Sequence, residues 1–279
     1  MSEKAILIAS FGTLQEENQR KSIGALEKEA GAFFPDRTVY RAWTSRFIRK
    51  RLLSAGRTPA DSTEEAIARM QRDGIRDLLV LPAFVFEGKE YRDLCRQLAD
   101  LQSRKASSDG EPARFESIRI ARPLLSTDED LDDIIRFLSD SFPGRRDDEA
   151  VILMGHGTSY GLGGIYSTLD RELEKRGLAN IVLGTIDSPE IGFDHVIADL
   201  QRAAENGRRI RHITLMPFLM TAGNHAVVDM AGSQPDSWKS RLENAGYKVT
   251  CILQGLGESE MIRRLLIRHA QDAPETEIR

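Results

Sequence analysis

Two of the five histidines in this chain stand where a metal ligand would be useful. His156 lies between glycines, directly after the apolar run Val151–Met154. His225 follows the apolar run Ile213–Met220 across Thr221-Ala-Gly-Asn224. Asp187 closes a third run, Ile181–Ile186. Ligands of open parallel sheets bind outside the carboxyl ends of the strands. If these runs are neighbouring strands, two imidazoles and a carboxylate reach one edge. That donor set suits a borderline divalent ion such as cobalt, iron, nickel or zinc. It also suits a site that holds a partly dehydrated ion and passes it to a better ligand while a base accepts protons. His195, His212 and His269 have no such setting and read as structural.

Both histidines fall inside an internal repeat. Ile6–Thr13 reads I-L-I-A-S-F-G-T and Val151–Thr158 reads V-I-L-M-G-H-G-T, which pairs Phe11 with His156. Aligning Pro82 with Pro217 also aligns Gly88 with Gly223 and pairs Glu90 with His225. The scaffold is duplicated, but the imidazoles stand in one half only, which implies one site built mainly from the second half.

The elements that must position these residues alternate. Apolar runs near 5–10, 37–42, 77–86, 115–122, 149–155, 179–186, 211–220 and 247–254 read as strands. Consecutive apolar residues are expected when helices cover both faces of a parallel sheet. Helical periodicity covers 16–34, 62–73, 91–103, 129–141 and 190–206. The fold class is therefore α/β: two similar Rossmann-like domains, each a four-stranded parallel sheet flanked by helices, with the active-site cleft expected between them. A length of 279 residues suits two cores. The boundary is placed so that residues 1–125 form the first domain and 126–279 the second. The glycine-rich stretch 161–164 reads as a flexible loop, and the tail 270–279 as frayed.

Composition excludes several classes. A net charge of −4 lacks the broad basic footprint of a nucleic-acid partner. No apolar run approaches the ~20 residues needed to cross a bilayer. Two isolated cysteines, Cys95 and Cys251, make neither a disulfide framework nor a zinc pattern. They fit free thiols in a reducing compartment, hence a cytoplasmic protein. No G-x-S-x-G elbow, P-loop or dinucleotide fingerprint occurs. The segment from Arg41 to Arg51 carries five basic residues. Of these, Arg41 and Arg46 lie nearest a strand end, placed to bind the carboxylates of an acidic ligand.

Taken together, the motifs resemble those of the class II tetrapyrrole chelatases, most closely the anaerobic sirohydrochlorin cobalt chelatases of cobalamin biosynthesis. The matching stretches span nearly the whole chain: S-F-G-T from Ser10, R-A-W-T-S from Arg41, E-G-K-E-Y from Glu87, M-G-H-G from Met154, L-M-P-F-L from Leu215 and A-G-N-H-A-V-V-D-M-A from Ala222. The resemblance implies a chelatase fold and ATP-independent insertion of cobalt(II), as substrate metal, into sirohydrochlorin, with no organic cofactor. It implies metal ligation by His156 and His225. The family's third ligand, a glutamate, aligns with Asp187, which is one methylene shorter, and Glu190 stands nearby as a substitute. A histidine of close relatives on the third strand is Phe84 here. Removing two pyrrole protons falls to His225 or Glu90 as catalytic base. Phe11, Arg41, Arg46 and Tyr91 are the substrate-binding candidates. The expected partners are a tetrapyrrole and a divalent metal ion, without nucleic acid or membrane; a homo-oligomer is compatible with this reading. Iron or nickel insertion into the same macrocycle, and a non-catalytic tetrapyrrole or metal carrier, stand as the alternatives.

Overall fold

The computed structural model describes residues 3–103, 115–144, 146–157 and 163–274. By its internal contacts the chain divides into Met1–Ser126 with Gly257–Arg279, and Thr127–Leu256. The first unit holds β1 (Lys4–Ser10), α1 (Glu16–Lys21), α2 (Ile23–Phe33), β2 (Thr38–Trp43), α3 (Arg46–Ser54), α4 (Thr63–Arg72), β3 (Asp77–Pro82), α5 (Lys89–Ser103) and β4 (Ser117–Ile120). The second holds α6 (Asp128–Ser141), β5 (Glu149–Gly155), α7 (Gly163–Lys175), β6 (Ile181–Thr185), α8 (Phe193–Glu205), β7 (His212–Pro217), α9 (Trp238–Asn244) and β8 (Lys248–Cys251). The last helix, α10 (Glu260–Gln271), returns to the first unit.

Each unit is a four-stranded, all-parallel sheet, ordered β2-β1-β3-β4 in one and β6-β5-β7-β8 in the other. The central strands explain the unbroken apolar runs. Ala5–Ala9 of β1 and Val151–Met154 of β5 are wholly buried. Alternate side chains of a strand face opposite sides. Ala5, Leu7 and Ala9 pack with Ala66, Ile67 and Met70 of α4 and Leu94 and Leu98 of α5. In the second unit Ile152 and Met154 pack with Val196 and Leu200 of α8 and with Trp238 and Leu242 of α9. Full burial of each such aliphatic chain is worth about 1.5–3 kcal/mol.

Several expectations need correction. The residues of the C-terminal helix cluster with the first unit, not with residues 126–256. His269 of α10, 1% exposed, meets the carbonyl oxygen of Arg122 at 3.3 Å, and Ala270 is fully buried, so the first two residues of the tail expected to fray are still helical; residues 275–279 of it lie outside the described residues. Helix 16–34 is broken at Ser22, where the backbone leaves the helical region (φ −96°, ψ −82°) while both its N–H and its hydroxyl donate to the carbonyl of Asn18. The strands stop short of the apolar runs: Ala83, Val85, Phe218 and Met220 are buried but lie past the strand ends. Part of the glycine-rich stretch, residues 161–162, lies outside the described residues, while Gly163 and Gly164 open α7. No helix among the described residues is long and apolar enough to cross a membrane. Cys95 and Cys251 are free and half-buried.

One ion-pair cluster fastens the edge of the second sheet. His195 Nε2 on α8 lies 3.2 Å from Asp170 Oδ2 of α7 and 3.5 Å from Asp199 Oδ2. The other Asp170 oxygen accepts the backbone N–H of Leu183 in β6 at 3.0 Å. The hydrogen bond to Asp170, aided by the charges of both aspartates, raises the His195 pKa above its ordinary value of 6.5, against burial and the nearby Arg202. A raised folded-state value adds stability that is complete below the unfolded pKa and disappears as pH rises through the folded one. His195→Gln will therefore lower the unfolding temperature more at about pH 6 than at about pH 8.5. Equal losses in calorimetry at both pH values would contradict this.

Candidate functional site

The second unit brings His156, Asp187 and His225 together at the carboxyl edge of its sheet. The strand order reverses between β5 and β7, and such a switch point opens a crevice. His156 is the first residue past β5, and Asp187 lies two residues past β6. The parallel ladder continues beyond both strands: the Ile186 N–H donates to the Gly155 carbonyl at 3.1 Å and the Asp187 N–H to the His156 carbonyl at 2.9 Å. These bonds place the two residues side by side, with His156 Nδ1 3.3 Å from Asp187 Oδ2. His225 arrives from β7 through Phe218–Asn224 and opens a single π-helical turn, His225–Met230. Its ring stands at 87° to that of His156, with centroids 5.0 Å apart. The side chains of His156 and His225 are 41% and 40% exposed, open to a ligand.

The His156 loop is held from beneath. Gly155 lies against the Tyr166 ring, where an added Cβ would come within 2.6 Å of Cε1. Gly157 turns the chain at φ 88°, and a Cβ there would meet Ser188 Oγ at 2.9 Å. Both glycines are therefore required by close approach, and Gly157 also by its left-handed conformation. The buried Tyr166 hydroxyl accepts hydrogen bonds from the backbone of His156 and Gly157, while burial pushes its pKa up.

The first unit repeats this construction without imidazoles. Ser45 N–H donates to Phe11 O at 3.2 Å, as Asp187 does to His156, and Gly12 has φ 90° where Gly157 has 88°. Gly88 N–H donates to Phe86 O at 2.8 Å, and Gly223 N–H to Thr221 O at 2.8 Å. The pairing of Phe11 with His156 is thus an equivalence of backbone as well as of sequence, and Glu90 and His225 each follow the same turn before their helices differ. Phe11, Arg46 and Glu90 line a cavity of about 720 Å³ within this unit, together with Trp43, Arg49 and Lys89. Among the described residues no ion pair engages Arg46 or Glu90.

Two expected substrate contacts are placed elsewhere. Arg41 lies in β2 with its guanidinium on the Glu27 carboxylate of α2, an ion pair that occupies both sides of the fork. Tyr91 is half-buried beside Cys95 and Glu87, and burial pushes its hydroxyl pKa up. Glu190 sits exposed in a short 3-10 turn, Pro189–Ile191, so Asp187 is the carboxylate set beside His156. Sequence reasoning missed Tyr166, Trp43, Arg49 and Asp229. Only Asp229 left a usable signal, its four-residue spacing from His225.

Residues 4–275 match the family described as Cobalt chelatase (CbiK). The sirohydrochlorin cobaltochelatase of Salmonella typhimurium is 31% identical over 272 residues, 97% of this chain and 96% of the relative. The sirohydrochlorin cobaltochelatase CbiKC of Nitratidesulfovibrio vulgaris is 33% identical over 261 residues, 93% of this chain and 86% of the relative. Among solved structures, SirB from Bacillus subtilis with Fe3+ aligns with a TM-score of 0.62 over 96% of this chain and 94% of that one. At 11% identity this likeness concerns the fold alone.

Tyr166→Phe removes the acceptor for two loop N–H groups. It is expected to cost about 1–3 kcal/mol in chemical unfolding, the penalty for buried donors left unmet. It should also weaken cobalt(II) binding in a titration of the tetrapyrrole-free protein; unchanged stability and affinity would deny Tyr166 this supporting role.

Proposed function

Because the chain belongs to the cobalt chelatase family, we propose that it inserts cobalt(II) into sirohydrochlorin, the activity for which both relatives are named. The observation that carries this reading is the perpendicular pair of His156 and His225 rings, 5.0 Å apart at the switch point of a parallel sheet. Two imidazoles favour a borderline divalent ion over calcium or magnesium. Asp187 adds an anionic oxygen beside them, as third ligand or as partner of His156.

Insertion exchanges two pyrrole N–H protons for one divalent ion, so the reaction needs a base. A base must reach the proton it removes. Glu90, half-buried in the wall of the 720 Å³ cavity, and His225, once it has released the ion, are the candidates. Arg46, exposed on the same wall, offers a fork that binds a carboxylate through both its oxygens, and sirohydrochlorin is an acidic macrocycle. Phe11, 42% exposed there, offers an apolar face to the ring. Arg41 is assigned instead to the Glu27 pair. The half-buried free thiols fit a cytoplasmic location.

The test is an anaerobic absorbance time course with sirohydrochlorin and cobalt(II), iron(II) or nickel(II). Cobalt insertion should exceed the protein-free rate. His156→Ala and His225→Ala should each lower it by more than about 100-fold, since loss of a ligand's outer partner alone costs 10–100-fold. A shifted bound spectrum with no acceleration for any metal would make the protein a carrier.

A further inference from the structure

We infer that Asp229 is a positioning residue for metal capture, fixing His225 in the one tautomer that presents Nε2 as a metal ligand. The inference rests on the proposed role of His225 and adds a residue that neither composition nor repeat alignment singles out. His225 Nδ1 lies 2.5 Å from Asp229 Oδ2. A carboxylate only accepts hydrogen bonds, so the imidazole proton in the neutral ring must sit on Nδ1. The lone pair is then on Nε2, the nitrogen left free for an ion. Imidazole without such a partner divides between two tautomers, and one of them blocks Nε2 with hydrogen. Partners of this kind also raise ligand basicity and hold the ring in place.

The local backbone is shaped for the contact. His225 and Asp229 are the first and fifth residues of the π-turn His225–Met230. Single π-turns recur at functional sites, because the extra residue re-aims a side chain. The Ala231 N–H reaches back five residues to Ala226 O at 3.1 Å, and Ala226 and Met230 anchor the turn in the core. Gly232 then lets the chain leave: a Cβ there would collide with the Val228 carbonyl. The aligned segment of the first unit, from Glu90, is ordinary α-helix and carries Leu94 four residues on, buried in the core. The π-turn and the carboxylate therefore occur in the unit that carries the imidazoles. His156 has a looser counterpart in Asp187 at 3.3 Å, so both rings turn Nδ1 toward a carboxylate.

The experiment compares Asp229→Asn, Asp229→Leu and His225→Ala in the full chain. Asn keeps an acceptor oxygen without the charge; Leu removes the acceptor at similar size. The first readout is the nitrogen-15 chemical shifts of the His225 ring at alkaline pH without metal. Wild type should show protonated Nδ1 and bare Nε2, Asp229→Asn the same, and Asp229→Leu a mixture. The second readout is the cobalt(II) dissociation constant without tetrapyrrole, expected to rise by about 10–100-fold in Asp229→Leu and by less in Asp229→Asn. Unfolding temperature is followed in parallel. If His225→Ala binds cobalt(II) as wild type does, the ligand assignment fails and the inference falls with it. If His225→Ala loses binding while Asp229→Leu keeps both its tautomer and its affinity, the positioning role alone is overturned. Equal losses in Asn and Leu variants that track a fall in unfolding temperature would also overturn it, leaving a purely structural contact.

Discussion

The site depends on a parallel ladder that does not stop where the strands do. β5 is the interior strand between β6 and β7, and past the ends of those two neighbours three more backbone bonds reach it or the residue after it: Ile186 to Gly155, Asp187 to His156, and Phe218 to Met154. They convert strand order into side-chain position. Because β6 lies on one side of β5 and β7 on the other, the three connections must diverge at this edge. Polar backbone there would be left unpaired in a buried setting, at a cost of about 1–3 kcal/mol per group, were the extra bonds absent. Positioning the metal residues and satisfying the backbone are thus one requirement. Tyr166 extends the same logic, since its buried hydroxyl serves the N–H groups of the His156 loop.

The first unit supplies a control within the same molecule. Ser45 N–H reaches Phe11 O, Ala83 N–H reaches Ala9 O, and Gly12 takes the left-handed turn, all as in the second unit. Trp43 presses on Gly12 as Ser188 and Thr185 press on Gly157. The backbone is therefore indifferent to whether the exposed side chain is Phe11 or His156. What differs is the chemistry presented: an aromatic face, a guanidinium and a carboxylate around a cavity in one unit, two imidazoles and two aspartates at the edge of the other. The two units thus set different chemistry on equivalent turns of backbone.

This contrast between the units explains which features were legible in the sequence. The central strands were readable because they are buried on both faces, which forces unbroken apolar runs. The two histidines were readable because duplicated motifs provide their own comparison. Arg41 misled, because strand-end basicity does not reveal that Glu27, fourteen residues earlier in sequence, faces it across α2 and β2. The place of α10 was hidden for a related reason: its buried face of Leu265, Leu266 and His269 would suit either sheet by periodicity. The π-turn was invisible, since an i, i+4 His–Asp pair is also ordinary α-helix spacing. Only the clash that Gly232 avoids marks the wider turn.

A protein that inserts metal must also lose it, and the geometry suits that constraint better than a tight cage would. Structural metal sites close four protein ligands around the ion and bind it strongly enough to fold the chain. Here the three proposed ligand side chains are each two-fifths or more exposed, and His156, Asp187 and His225 leave coordination positions to water or to incoming nitrogen atoms. Among the described residues, the three ligand atoms that crowd within 4.8 Å of one another belong to Asp170, His195 and Asp199, where ion pairing holds the sheet edge. The looser set sits at the switch point. Asp187, shorter than a glutamate, stands with Oδ2 3.3 Å from His156 Nδ1. The imidazoles are neutral donors, whereas a macrocycle that has given up two protons offers two anionic nitrogens, and that difference favours transfer.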